Sequence, residues 1–267
     1  MNEKITSLIK ELRKRTDISI IECKKALIKT NGDIDLAIDL LRKSGKTIAT
    51  KKSGRITTEG VILTKIFDNG KFGVIIELNC ESDFVAKNNN FLSFGKEILF
   101  LTYLNKYCNL QDLKTDLEKS RIDLITKVKE NINIRRFKIL KDIQIENYLH
   151  NNRIGVLVSA KKTNKQFLKY IAMHIAACKP QYFSPEKIPS DIINHEYKIQ
   201  LEIAIQSGKP NEITKKIVIG QMNKFTKEIS LITQPFVIDP KKTVGDFIKE
   251  NNINITNFIR FELGENI

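Results

Sequence analysis

Four cysteines, at 23, 80, 108 and 178, are spread through 267 residues with no CxxC pair, and the three histidines, His150, His174 and His195, are equally scattered. That distribution offers neither metal-ligand spacing nor a disulfide framework. The cysteines are expected to be reduced and mostly buried, behaving as small apolar side chains. No GxxxxGK[ST], GxSxG or HExxH occurs, so a phosphate loop, a nucleophile elbow and a zinc-protease helix are all missing. No metal, cofactor or catalytic residue is therefore expected. Long apolar runs are absent too: residues 98–104 make the longest, seven residues including Thr102, far short of the roughly 18 to 20 that span a bilayer. The opening Met1-Asn2-Glu3-Lys4 has no secretory apolar core and no acid-poor Arg/Ser character. The expectation is a cytosolic protein with no membrane partner.

What is present is charge of one sign, 45 Lys+Arg against 31 Asp+Glu, for a formal net charge of +14 and a pI near 9.5. With 41% hydrophobic residues the chain can fill a core, and its length allows one large or two to three small domains.

Apolar spacing predicts three short helices first. Ile5, Leu8 and Leu12 form one face, while Ile20, Ile21, Ala26 and Leu27 follow a capping Ser19. After Asn31-Gly32, Asp33 caps a third helix with Ile34, Ala37, Ile38 and Leu41 on one side. Residues 1–45 are read as this three-helix domain and 46–59, rich in Lys, Gly, Ser and Thr, as a basic linker. Two strands, 61–67 and 72–79, then flank Asp68-Asn69-Gly70-Lys71, a strong hairpin signal. Phe91, Phe94, Ile98 and Leu101 line a helix, a second helix covers about 110–130, and 131–140 returns to strand.

The pattern recurs. Residues 153–158, RIGVLV, echo 71–76, KFGVII, at an offset of 82, and 252–255, NINI, leading to Arg260 echo 131–135, NINIR, at an offset of 121. About 39 extra residues therefore stand inside the second copy. Ile193, Tyr197, Leu201 and Ala204, then Gly208 and Pro210, then Ile213, Ile217 and Val218 give that insert the look of a helical hairpin. The predicted fold is α+β: core subdomain 1 over 60–140, core subdomain 2 over 141–185 and 229–267, and an inserted hairpin over 186–228.

The segment 77–87, ELNCESDFVAK, ends a strand and precedes the Phe91 helix. On its residues alone it reads as punctuation, with Ser82 or Asp83 capping a turn and Phe84 packed inward. It also resembles the second signature of bacterial elongation factor Ts, and 12–27, LRKRTDISIIECKKAL, resembles the first. NGDIDLAIDLLRKSG, ENINIRR, RIGVLV, IAMHIAA, QSGKP and QPFV are similar to words of that family in the family's order, covering residues 2–267. Ser82 stands where the family usually has threonine, keeping the hydroxyl, and Asp17-Ile18-Ser19-Ile20-Ile21 stands where it has a glycine-rich run. Many members continue into a further helical module, whereas this chain stops at Ile267; that module's contacts are expected to be missing.

The resemblance implies a guanine-nucleotide exchange factor for the GTPase elongation factor Tu, without bond-making chemistry. It implies a ubiquitin-associated-like N-terminal bundle, two related subdomains and a coiled-coil hairpin that could support a homodimer or a 2:2 complex. Carried over by residue, Ser82, Asp83, Phe84 and Val85 form the loop that enters the partner's G domain and displaces its Mg²⁺-holding segment. Lys24, His150, Val237 and Ile238 are further partner contacts. On residues alone, Lys24 reads as a solvated helix face, His150 as structural, Val237 and Ile238 as core strand, and His174 as a satisfied core histidine.

The rival reading is a basic RNA-binding or ribosome-associated protein, drawn from the net charge and from Lys46, Lys51, Lys52 and Arg55. The basic residues are dispersed rather than interleaved with aromatics, so no specific nucleic acid is expected. A salt titration with RNA separates the two, since phosphate binding falls steeply with salt.

Overall fold

Three helices lead the chain in the computed structural model, which describes residues 3–161, 163–206 and 210–266: α1 Glu3–Thr16, α2 Ile20–Lys29 and α3 Ile34–Lys52. Ser19 caps α2 by accepting the Glu22 N–H, and Asp33 caps α3 by accepting that of Leu36 at 2.9 Å. Leu12, Cys23, Ala26, Leu27, Ala37 and Leu41 close a small core between the three.

The third helix runs further than expected: residues 46–52, read as the start of a linker, are its last turns. Their polar composition hides an inward side, for Ala49 is buried, as is Gly45 just before them, and Ile48 packs on the next core. A Cβ on Gly45 would stand 2.6 Å from Oγ1 of Thr126. The glycine allows a close helix contact rather than ending a helix. Only 53–58 remain as connection.

β1 (Glu59–Phe67) and β2 (Phe72–Cys80) form the expected hairpin, with Asp68, Asn69 and Gly70 at φ 51°, 52° and 96°. The chain continues through α4 (Asp83–Ala86), α5 (Asn89–Asn105), α6 (Leu110–Val128) and β3 (Asn133–Lys141), which pairs with β2 to complete an antiparallel sheet in the order β1-β2-β3. A second sheet, β4-β5-β6, is built from β4 (Gln144–His150), β5 (Ile154–Ala160) and a final β6. Between β5 and β6 (Ile255–Glu262) lie α7 (Lys165–Cys178), α8 (Ser190–Gln206), α9 (Asn211–Ile229) and α10 (Val244–Glu250).

The two sheets match in detail. A β-bulge interrupts the β2–β3 register at Glu77/Leu78, and another interrupts β5–β6 at Ser159/Ala160, 82 residues on. Side chains alternate across each central strand. Val74, Ile76 and Leu78 of β2 face the α5–α6 layer, while Ile75 meets Ile62, Leu140, Ile145, Leu157 and Phe261 between the sheets. Val156, Val158 and Ala160 of β5 likewise face α7. Gly73 and Gly155 occupy equivalent places at the sheet contact: a Cβ on Gly73 would meet Ile145 and Leu157, and one on Gly155 would meet Ile62 and Ile75. The result is an α+β stack of helices, sheet, sheet and helices.

α8 and α9 make the expected hairpin, but Gly208, read as its punctuation, lies outside the described residues. Its closest seam contains Ala204, Thr214 and Val218, whereas Tyr197 and Ile213, expected inside, are exposed. Small residues let the helices approach, and larger ones are left outside. Cys23 and Cys80 are buried as expected, Cys178 is half-buried, and Cys108 is exposed in the connection between α5 and α6. Among the described residues no helix is long and apolar enough to cross a membrane.

Candidate functional site

Leaving β2 at Cys80, the chain passes through Glu81 and Ser82 into the single turn of α4. Ser82 caps that turn by accepting the Val85 N–H at 3.4 Å. Val85 and Ala86 point inward, each 8% exposed, and join the core beneath the first sheet. Phe84 points the other way and is 82% exposed. This overturns the inward placement that composition favours: with two apolar neighbours holding the turn, the third is left in water.

The turn is also fixed from outside. The carboxylate of Glu130 accepts the Glu81 N–H at 3.0 Å, the Ser82 N–H at 2.9 Å and the Ser82 hydroxyl at 2.6 Å. In return Glu81 accepts the Asn131 N–H at 2.7 Å and the Arg55 guanidinium at 3.2 Å. Asn131 donates its side-chain amide to the carbonyls of Ser53 and Arg55 at 3.3 and 2.9 Å, tying the loop to the end of α3. Glu130, Asn131 and Arg55 are site residues that sequence reading missed. Glu130 and Asn131 stand in the quoted word ENINIRR, but nothing in the sequence pairs them with residues some fifty positions earlier.

The charges follow from these contacts. Asp83 is mostly exposed, and the Lys87 ammonium, 2.9 Å away, holds its carboxyl below the ordinary range. Burial works to raise the Glu81 carboxyl, but the Asn131 N–H and Arg55 outweigh it and leave it lowered. The Cys80 thiol is pushed up to about 12, first by burial and then by the charge of Glu130; it stays protonated and donates to the Ser82 carbonyl at 3.1 Å. The site is thus a stiff backbone turn presenting one carboxylate and one large aromatic ring to solvent.

His150 is exposed at the end of β4, its Nδ1 3.3 Å from the Tyr148 hydroxyl. Its turn docks on the first sheet, where Ile62 N–H donates to the Asn152 carbonyl at 2.7 Å and Arg153 pairs with Glu59 at 3.2 Å. Glu59 is the strand partner of Cys80, so His150 and the Ser82–Val85 turn share one end of the sheet. Lys24 is exposed on α2. The α1–α2 turn lies beside the start of α5, where the Asn90 side-chain amide donates to Asp17 at 3.0 Å. Val237 and Ile238 are each 44% exposed on a bend before α10, not in a core strand. They sit on the second sheet's helical side, away from the Phe84 turn.

Substituting Glu130→Ala is expected to cost about 1–3 kcal/mol, since two N–H groups and a hydroxyl lose one charged acceptor. Urea unfolding checks the size, and hydrogen exchange at the Glu81 and Ser82 amides checks the place. Unchanged protection there would show that Glu130 does not hold the turn.

Residues 81–265 match the family model described as Elongation factor TS. Elongation factor Ts of Photorhabdus laumondii subsp. laumondii is 54% identical over 261 residues, covering 98% of this chain and 92% of that protein. The proteins of the same name from Yersinia pestis and Yersinia pseudotuberculosis are 53% identical with the same coverage. The chain belongs to the elongation factor Ts family.

Proposed function

We propose that this chain acts in translation by binding elongation factor Tu in its GDP form and promoting GDP release and GTP exchange. The observation that carries the reading is Phe84, an aromatic ring held in water by a turn that Glu130 fastens through the Glu81 and Ser82 N–H groups and the Ser82 hydroxyl. A partner that takes in the ring buries roughly 150–250 Å² of it and meets no cost of ordering the loop, because the loop is already ordered. In the proposed mechanism Phe84 wedges between helices of the G domain and Asp83 disturbs the segment that holds Mg²⁺. Losing that ion removes a large positive charge facing the nucleotide phosphates, and GDP leaves faster. Linkage is reciprocal, so bound GDP weakens the factor by the ratio in which the factor weakens GDP. No bond is made or broken by this chain, and it needs no cofactor of its own.

The same reading makes Lys24, His150, Val237 and Ile238 supporting contacts and divides the chain into an N-terminal bundle, two core subdomains and a projecting hairpin. Exposed Ile199, Ile203 and Ile219 on the hairpin favour a homodimer or a 2:2 complex there. The place of action is the bacterial cytoplasm.

Release of labelled GDP from elongation factor Tu, with and without this chain, tests the reading; equal rates sink it. Within that assay Asp83→Ala should slow release more when Mg²⁺ is present than when it is chelated. Equal loss under both conditions would remove Asp83 from the Mg²⁺ step.

A further inference from the structure

His174 on α7 is fully buried with both ring nitrogens engaged. The orientation of its partner is fixed first. Gln234 donates its side-chain amide to the carbonyls of Cys178, at 3.3 Å, and Glu228. Its oxygen is therefore left as an acceptor, and Nε2 of His174 lies 2.9 Å from it. The proton must be on Nε2, which leaves Nδ1 with a lone pair. The Val237 N–H donates to that lone pair at 3.3 Å. Burial lowers the imidazole's pKa, and the Gln234 hydrogen bond offsets this only in part, so the neutral ring this pattern requires is the stable one.

The surroundings make this a lever on the surface. Phe236 is buried and stacked on Phe247 with centroids 4.5 Å apart, and its N–H donates to the Lys242 carbonyl at 2.8 Å. One residue on, the chain emerges with Val237 and Ile238 side by side in water. The backbone between core and surface is thus held by a side chain, His174, itself set by the ends of α7 and α9 through Gln234.

We infer that His174 is a positioning residue for the partner surface, fixing through the Val237 amide the direction in which Val237 and Ile238 are offered to an apolar patch of the bound protein. The inference rests on the reading of those two residues as partner contacts. An apolar pair on a free bend would lose orientational entropy on docking, whereas a pinned one does not.

Two substitutions separate the ring's two bonds. Asn can present an oxygen near the place of Nδ1, while Gln reaches toward Nε2 and leaves the Val237 N–H without an acceptor. In His174→Gln, hydrogen exchange at the Val237 amide should speed up by about tenfold or more, while the Val244 amide, bonded to the Gln234 carbonyl, stays protected. KM for elongation factor Tu·GDP should rise by a similar factor with kcat little changed, and His174→Asn should return most of both. Unchanged protection of Val237 in His174→Gln, or an Asn variant as damaged as the Gln variant, overturns the inference. Should His174→Gln not fold, the imidazole nitrogen shifts of the unsubstituted chain still decide, because an Nδ1–H tautomer is incompatible with the inference. A Val237→Ala, Ile238→Ala double variant with normal KM removes the partner role of the pair, and the Val237 amide then reports on the positioning alone.

Discussion

Phe84→Ala is expected to leave the circular dichroism and unfolding midpoint of the chain unchanged and to slow stimulated GDP release from elongation factor Tu by about tenfold or more. The first half follows from exposure. At 82% exposed, the ring has little packing in the free chain to lose, and such surface substitutions stay within about 0.5 kcal/mol. The second half follows from what a central aromatic contributes once covered: truncating such a side chain typically costs about 2 kcal/mol or more of binding, and tenfold in rate or affinity needs only about 1.4 kcal/mol. The two halves fail separately. An unfolded variant would mean the ring is core in solution, and a folded variant with full exchange would mean that the turn is not where the G domain is opened.

Glu77 carries the largest expected effect on stability. It is fully buried at the middle of β2, yet it stays ionised. Burial works to raise its carboxyl, but the Gly264 N–H at 3.0 Å and the guanidinium groups of Arg135 and Arg136 at 2.8 and 2.6 Å outweigh it and leave it lowered. The bulge explains how two successive arginines reach one carboxylate. In a regular strand Arg135 and Arg136 would face opposite sides, and the extra residue opposite Glu77/Leu78 turns both the same way. Arg136 also donates to the Glu262 carbonyl, pairs with Glu265 and lies 4.0 Å over the Phe261 ring, so the carboxylate anchors the last strand. Glu77→Ala should cost about 3–5 kcal/mol, the usual result of removing one partner of a buried ion pair. A loss under about 1 kcal/mol in urea unfolding would count against the anchor. The pH dependence has a definite sign. A carboxyl held below its ordinary value of 4.5 stabilises fully above that value and loses the contribution as pH falls through its folded value. The stability gap between the chain and Glu77→Gln therefore narrows on acidification.

Elements whose signal is local could be read from the sequence. Asn69-Gly70 set the hairpin, Ser19 and Asp33 set two helix starts, and the words at 71–76 and 153–158 turned out to be the two central strands. What escaped depends on distant residues. An apolar residue in a turn can face either way, and Phe84 is outward because Val85 and Ala86 occupy the inward positions. The extra turns of α3 were hidden because 46–52 are polar in composition, while Gly45 just before them has no side chain and so lets the helix lie close against Thr126. In the hairpin, apolar spacing picks out Ala204 and Val218, which are buried, but also Tyr197 and Ile213, which the packing leaves exposed while it buries the polar Thr214.

The stacked sheets also impose an order on synthesis. Ribosomes extend chains at about 5–20 residues per second, so β2 emerges on the order of ten seconds or more before Gly264 can cap Glu77. During that interval α5 and α6 can cover the outer face of the first sheet, but its inner face waits for the second. β4 and β5 arrive early, whereas β6 is separated from them by α7, the hairpin and α10. Until β6 docks, the side of β5 that it covers is an open row of backbone donors and acceptors, a template on which another unfinished chain can pair. A nascent chain stalled before residue 255 is thus the species most exposed to aggregation, and its rescue depends on the eight residues of β6.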